Sequence, residues 1–146
     1  MTKIELANSL HDQGYSCSQS VLTAFADELG LDKEMALKVS STFGGGMGRS
    51  GDTCGAVTGA VMAIGMKFGS SETVDAEEKT ELYNKVKAFL KEFESKNSSI
   101  KCRELLGYDI SIPEEFAIVS EKGISGEKCP GFITNAVVLL EEMFNK

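Results

Sequence analysis

The sequence predicts an all-α, single-domain bundle of about six to seven helices, in which a glycine-rich loop precedes a buried central helix. Three observations support this fold class. Apolar residues recur at helical spacing through nearly the whole chain, no stretch alternates cleanly as a strand does, and helix start and stop residues punctuate the sequence. The 146 residues suit one domain with its own core, so we expect residues 1–146 to form a single unit.

The first half of the chain predicts a helix that ends near His11 and three further helices. The second helix ends at Gly30, and its apolar face consists of Val21, Leu22, Phe25 and Leu29. Asp32 caps the third, whose apolar residues are Met35, Val39 and Phe43. Residues 54–68 are apolar or small on almost every face, which is typical of a buried central helix. Small residues recur every fourth position along it, at Gly55, Gly59 and Ala63, so a neighbouring helix can approach closely.

The second half predicts one long helix, two shorter ones and a final helix. The long helix covers about 75–94, starts with an Asp75–Glu78 capping pair, and has the apolar face Leu82, Val86, Phe89 and Phe93. A short helix contains "CRELLG", and another covers about 113–122. The last is expected to begin at Pro130, with the apolar face Ile133, Val137, Leu140 and Phe144. The predicted loops are 44–52, 69–74, 95–99, 107–112 (where "YDISI" is ambiguous) and 123–128.

The formal charge of −7 argues against a nucleic-acid or acidic-membrane partner, because phosphates require a basic surface. The longest apolar stretch, residues 56–66, is too short to span a bilayer, and no export signal is visible. We therefore expect a cytoplasmic protein without membrane insertion, in which cysteines stay reduced.

Four cysteines are the candidate functional residues: Cys17, Cys54, Cys102 and Cys129. No two of them are close in sequence, so the spacing is neither that of a zinc finger nor that of a ferredoxin. Their positions are more informative, because each falls at a predicted helix N-terminus. The predicted cap residues are Ser16 (with Gln19) for Cys17, Asp52 or Thr53 for Cys54, Ser98 or Ser99 for Cys102, and Cys129 itself before Pro130.

A helix N-terminus offers unpaired N–H groups and a partial positive charge. Both stabilise a thiolate and are expected to lower the pKa of a cysteine placed there. If the four helix ends converge, four thiolates meet in a pocket of N–H donors, which suits an iron–sulfur cluster. The alternative is four unconnected cysteines that only fill the core.

Seven glycines crowd residues 43–59, "FGGGMGRSGDTCGAVTG". The pattern G-x-G-x-x-G occurs at 46–51, but no strand precedes it, which argues against a dinucleotide site. We expect the glycines to let the backbone approach a bulky group beside Cys54, although a flexible connector is the alternative. Arg49 either offsets the charge of a cluster or is solvated. The candidate cofactor-contacting glycines are Gly44, Gly45, Gly46, Gly55 and Gly59.

His11 is the only histidine, and it lies near the end of the first predicted helix. A cation suits that end of the helix dipole. A capping or surface role is therefore favoured over metal ligation or catalysis.

The segments "GYSCSQSVLTAF", "FGGGMG", "CGAVTG", "CRELLG" and "CPGF" resemble the C_GCAxxG_C_C family of redox-active proteins, from about Gly14 to Leu140. The family motif C-G-A-x-x-G corresponds to residues 54–59. The resemblance implies a redox-active iron–sulfur protein of bacterial or archaeal type, with Cys17, Cys54, Cys102 and Cys129 as ligands. A similar domain accompanies the haem domain of split-Soret cytochromes, where an iron–sulfur centre has been assigned to it. The resemblance does not name a reaction.

The leading hypothesis is a small electron-transfer or redox-sensing protein that holds one cluster on the four cysteines. A [2Fe–2S] cluster is favoured, partly by the resemblance, and [4Fe–4S] stays open, because four thiolates serve either. The acidic surface predicts a redox partner protein with a basic docking surface, and a homodimer is compatible with the sequence. A carrier or accessory role is favoured over a stand-alone enzyme, so no catalytic residue is assigned.

Two alternatives remain open at the sequence level. Low-pKa thiols at helix ends also suit a thiol–disulfide protein, although without a C-x-x-C motif any pair must form across the fold. A structural zinc site in an interaction module would use the same four thiolates. It usually carries a C-x₂-C knuckle, which this chain lacks.

Overall fold

The computed structural model describes residues 1–146, and its regular secondary structure is helical. The helices are α1 (Lys3–Asp12), α2 (Cys17–Ala24), α3 (Ala26–Leu29), α4 (Lys33–Val39), a 3₁₀ turn (Ser41–Phe43), α5 (Gly44–Met47), α6 (Gly55–Phe68), α7 (Ala76–Asn97), α8 (Cys102–Leu106), α9 (Pro113–Lys122) and α10 (Ile124–Phe144). Seven of them have at least seven residues: α1, α2, α4, α6, α7, α9 and α10. The predicted all-α class is confirmed, and the "YDISI" segment forms no strand.

Several predicted helix ends are confirmed by their hydrogen bonds. Ser16 and Gln19 form the capping box of α2, and the Asp75 side chain accepts from the Glu78 N–H at the start of α7. Asp32 caps α4, and Gly30 ends α3 with a φ of 66°. These local signals act within one turn of the chain, which explains why the sequence alone predicts them.

The helix that was expected to continue to Phe43 ends at Val39 instead. The Ser40 hydroxyl donates to the Ala36 carbonyl at 2.6 Å, so a side chain takes the acceptor that a continuing helix would share. The chain then enters the 3₁₀ turn that holds Phe43. Val39 is 55% exposed, so the predicted apolar face of this helix does not enter the core.

The last helix begins at Ile124 rather than Pro130, and the predicted loop 123–128 is therefore wrong. Gly123, with a φ of 63°, both ends α9 and starts α10, so one left-handed residue replaces the loop. Pro130 lies inside α10, where it cannot donate to the carbonyl of Gly126. Tertiary packing of α10 outweighs this lost hydrogen bond.

Helix α6 occupies the middle of the bundle, packed against α2, α7 and α10, while α10 also packs against α1. The predicted close approach along α6 is confirmed, because a Cβ added at Gly59 would lie 2.7 Å from the Ser18 carbonyl oxygen. A Cβ at Gly55 would lie 2.9 Å from the Ser18 nitrogen. No helix combines the length and the apolar character needed to cross a bilayer.

Candidate metal centre

A cavity of about 610 Å³ lies where the ends of several helices meet, and all four cysteines line it. Its wall includes the end of α1, the starts of α2 and α6, part of α8, the first half of α10 and the glycine loop. The four cysteines are free thiols. They are distant in sequence, so only the tertiary fold brings them together.

Cys17 and Cys54 occupy the starts of two packed helices. Cys17 is the first residue of α2, behind the Ser16 cap, and is half-buried. Cys54 is buried and is itself the N-cap residue of α6, one position after Thr53 and two after Asp52, the two predicted caps. Its N–H donates to the Ile100 carbonyl at 2.7 Å, which ties the end of the glycine loop to the segment before α8.

Cys102 begins α8, and Lys101 rather than Ser98 or Ser99 is the flanking cap residue. The Cys102 N–H donates to the Asp52 carbonyl at 2.6 Å. Thr53 and Lys101 also form an isolated antiparallel bridge. The segments that carry Cys54 and Cys102 are therefore held side by side by backbone hydrogen bonds.

Cys129 is the exception to the predicted placement at helix N-termini. It lies inside α10, as the sixth residue from Ile124, because that helix starts earlier than its proline suggested. It is nevertheless buried in the cavity wall with the other three. Convergence on the cavity, rather than a shared helix position, is what unites the four cysteines.

The pKa values differ from the sequence expectation that all four thiols are acidified. Burial raises the pKa of Cys54 to about 12 and that of Cys102 to about 11. The Ala56 and Val57 N–H groups oppose this rise at Cys54 but do not overcome it. A hydrogen bond to Cys129, followed by burial, raises the pKa of Cys17 as well. Desolvation is therefore the main reason for the raised pKa at Cys54 and Cys102, whereas at Cys17 it comes second to the hydrogen bond with Cys129.

Cys129 has the only lowered pKa of the four. The largest cause is the hydrogen bond from Cys17, and His11 and Ser125 add further hydrogen bonds to the same sulfur. Without metal, Cys17 and Cys129 therefore share a proton as a thiol–thiolate pair. Because ligands must be deprotonated, a metal that binds all four cysteines must displace protons chiefly from the other three.

His11 is a candidate metal ligand that the sequence analysis did not favour. It does lie in the last turn of α1, but its ring nitrogen and the Cys17 and Cys129 sulfurs all lie within 4.8 Å of one another. Those three residues could hold a single metal ion. The only signal in the sequence was that His11 lies six residues before Cys17. This spacing does not by itself predict a contact, because the contact depends on the turn at Gly14 between α1 and α2.

The candidate glycines divide into two groups. Gly44, Gly45, Gly46 and Gly55 line the cavity, whereas Gly59 is not part of its wall and serves the packing of α6 on α2. A Cβ at Gly46 would lie 2.5 Å from the Asp52 nitrogen, and its φ is 69°. The glycines therefore allow the loop itself to fold tightly around the cavity.

The donor chemistry fits a metal centre. Soft thiolate ligands suit iron–sulfur clusters and zinc. The ligand atoms that lie within 4.8 Å of one another are those of His11, Cys17 and Cys129, and Cys54 and Cys102 line the same cavity as free thiols.

Residues 15–143 match the family described as "Putative redox-active protein (C_GCAxxG_C_C)", and the chain belongs to that family. The resemblance stated from the sequence is therefore confirmed over almost the same residues. Comparison with curated proteins and with solved structures gives no match.

Proposed function

We propose that the chain holds one iron–sulfur cluster on Cys17, Cys54, Cys102 and Cys129 and acts in electron transfer or redox sensing. The observation that carries this proposal is the presence of four free thiols around one cavity. When bound, such a cluster supplies one-electron redox chemistry. The chain supplies the ligands, a largely buried setting that limits water, and N–H groups near Cys54 that favour anionic sulfur.

A [2Fe–2S] cluster remains the favoured form. Cys17 and Cys129 form one adjacent pair, and backbone bonds hold Cys54 and Cys102 as a second. Two pairs of thiolates correspond to two irons with two protein ligands each.

The acidic surface supports a redox partner protein with a basic docking face, at a net charge of −7. Four free cysteines suit the reducing cytoplasm, where thiols persist. A carrier or accessory role fits both features.

The test is an anaerobic purification with a visible spectrum and iron, sulfide and zinc analysis. A brown protein with about two irons and two sulfides per chain supports the proposal. Each single replacement of the four cysteines by serine is expected to lower the iron content, whereas Ser41→Ala, also in the cavity wall, is not. An iron-free protein after reconstitution, or full iron in Cys102→Ser, contradicts the four-ligand cluster. A colourless protein with stoichiometric zinc supports a zinc site instead.

A second candidate function is thiol–disulfide exchange by Cys17 and Cys129. Their proximity to each other and to His11 favours it, as does the lowered pKa of Cys129. In this reaction the two thiols lose two electrons and two protons to a partner disulfide, which is reduced to two thiols.

Metal-free protein treated with oxidised glutathione tests this candidate by peptide mapping. A Cys17–Cys129 disulfide that persists in the Cys54→Ser, Cys102→Ser double variant supports it. Stable mixed disulfides with glutathione, with no link between the two cysteines, contradict it.

A further inference from the structure

The cavity wall lacks the carboxylates that make the rest of the molecule acidic. The chain has 22 acidic and 15 basic residues, yet none of the 22 residues that line the cavity is an aspartate or a glutamate. Arg49 is the arginine of the wall, and the Cys129 thiolate carries the opposing charge there. A concave region with an arginine and no carboxylate is the part of this acidic protein that repels small anions least.

Arg49 has no partner within the chain. The two ion pairs of the molecule are Lys3–Glu28 and Lys38–Glu34, so no carboxylate lies within 4.0 Å of its guanidinium. The one lysine or arginine side chain that donates to a backbone carbonyl is Lys128. All five guanidinium donors of Arg49 are therefore available to a ligand.

The fold nevertheless fixes the position of Arg49. Its guanidinium carbon lies 4.2 Å from the centre of the Phe116 ring, a cation–π contact that uses none of the N–H donors in a hydrogen bond to an oxygen. A Cβ at Gly45 would lie 2.9 Å from the Arg49 Cγ, so Gly45 makes room for this side chain. Arg49 also has a φ of 63°, an unfavourable value for a residue with a side chain, which the loop maintains.

Arg49 is an exposed residue that lines the same cavity as all four cysteines. Of the two roles expected for it from the sequence, offsetting the charge of a cluster or being solvated, its exposure fits the second. A ligand that enters the cavity can therefore contact the guanidinium in place of water.

The cavity is larger than a small inorganic cluster requires. Its volume of about 610 Å³ falls within the range of about 300–1,000 Å³ that is usual for small-molecule sites. Tyr15 and Thr42 also line it, and their hydroxyl groups are donors of the kind that can hydrogen-bond an anion, whereas the Ser41 hydroxyl donates to the Lys38 carbonyl.

We propose that the cavity binds, beside the thiols, a small anion whose carboxylate or tetrahedral oxyanion group pairs with the free edge of Arg49. This goes beyond the proposed function, because it requires the cavity and not the cluster. A guanidinium fork matches two oxygens of either group, and such charge-assisted pairs are the stronger hydrogen bonds in proteins.

Calorimetric titration of the metal-free full chain, under reducing conditions and at constant ionic strength, tests the proposal. The probes are sodium acetate for the planar group and sodium phosphate for the tetrahedral one. We expect at least one probe to bind the wild type saturably. The Arg49→Gln variant should bind that probe with an affinity about tenfold or more lower. Arg49→Lys keeps the positive charge but not the two parallel N–H donors of the guanidinium, so its affinity should lie between those of the wild type and Arg49→Gln. Arg103→Gln is the matched control, because Arg103 is the only other arginine and does not line the cavity.

Alkylation by iodoacetamide, a neutral reagent, locates the binding. The bound probe should slow alkylation of Cys17 in the wild type and not in Arg49→Gln. Equal affinity in Arg49→Gln and wild type, no saturable binding of either probe, or binding without protection of Cys17 would each overturn the proposal. Iron content is measured separately. A protein that binds the anion but holds no iron after reconstitution would contradict the iron–sulfur proposal and leave the anion proposal standing.

Discussion

The main core and the cavity cluster are built differently. The main core is a group of 21 buried residues from regular helices, chiefly α1, α2, α6, α7 and α10, and it includes Cys54. The cavity cluster is a second group of six buried residues, namely Cys102, Leu106, Ile110, Val119, Ile124 and Cys129. Cys17 packs against both groups. The candidate metal centre therefore lies at the boundary between a large apolar core and a small one.

The backbone of the glycine loop beside the cavity differs from that of both groups. Both groups lie chiefly on regular helices, whereas φ is positive at five consecutive loop residues, from Gly45 to Arg49, and all of these except Met47 line the cavity. Two of these five, Met47 and Arg49, carry side chains that disfavour this conformation. The comparison suggests that the regular region supplies stability and the irregular one supplies the shape of the site.

The largest expected effect on stability comes from matched leucine-to-alanine substitutions in the main core and in the cavity cluster. Leu140→Ala in the main core should lower the free energy of unfolding by about 4 kcal/mol, through lost burial and a new void. Leu106→Ala should cost only about 2 kcal/mol, because Leu106 already borders the cavity. Urea unfolding of the metal-free variants measures both. Equal losses would mean that the two regions do not differ in packing.

The next effect concerns two glycines on α6. Gly59→Ala should destabilise the protein by about 1–2 kcal/mol, because the new Cβ meets the Ser18 backbone and pushes α2 away. Gly65→Ala should stabilise it by about 0.5–1 kcal/mol, since nothing lies within 4 Å of its Cβ position. Thermal unfolding compares the pair. A stabilising Gly59→Ala would show that the contact between α2 and α6 is looser than the structure has it.

Alkaline pH should destabilise the metal-free protein through its buried thiols. The pKa of Cys54 is raised to about 12 in the folded state, so above about pH 9 the unfolded chain loses this proton while the folded chain keeps it. The free energy of unfolding should then fall by about 1 kcal/mol per pH unit for this thiol, until the pH reaches the folded pKa.

The measurement is urea unfolding between pH 8 and pH 11, with Cys54→Ser as the control that removes this thiol while the lysines and tyrosines stay. The free energy of unfolding of the variant should fall less steeply with rising pH than that of the wild type. Parallel curves would contradict burial as the cause of the raised pKa.

The smallest effect is expected from His11→Gln. His11 helps to lower the pKa of Cys129 by a hydrogen bond and by its charge. Its loss should raise the midpoint pH of the first thiol titration of the Cys17–Cys129 pair by about one pH unit. The ultraviolet absorbance of the thiolate follows this titration. The same titration in Cys129→Ser should lose this step. An unchanged midpoint in His11→Gln would show that His11 does not contribute to the lowered pKa of Cys129.

The parts of the fold that depend on neighbouring residues could be predicted from the sequence. Helix periodicity, the caps Ser16, Asp32 and Asp75, and the small face of α6 act over one or two turns of the chain. The boundary at Pro130 was misplaced because a local preference for the first turn was overridden by the packing of α10. The fold class and the four-cysteine set followed from these local patterns and from the resemblance.

The sequence by itself determined the helical class, several helix ends and which four residues carry thiols, because helix capping and side-chain chemistry are local properties. Only the tertiary structure decided that the thiols share one cavity, that burial raises the pKa of Cys54 and Cys102, and that His11 lies beside Cys17 and Cys129. The physical reason is that desolvation and proximity depend on groups far apart in sequence, and no local pattern encodes the distance between them.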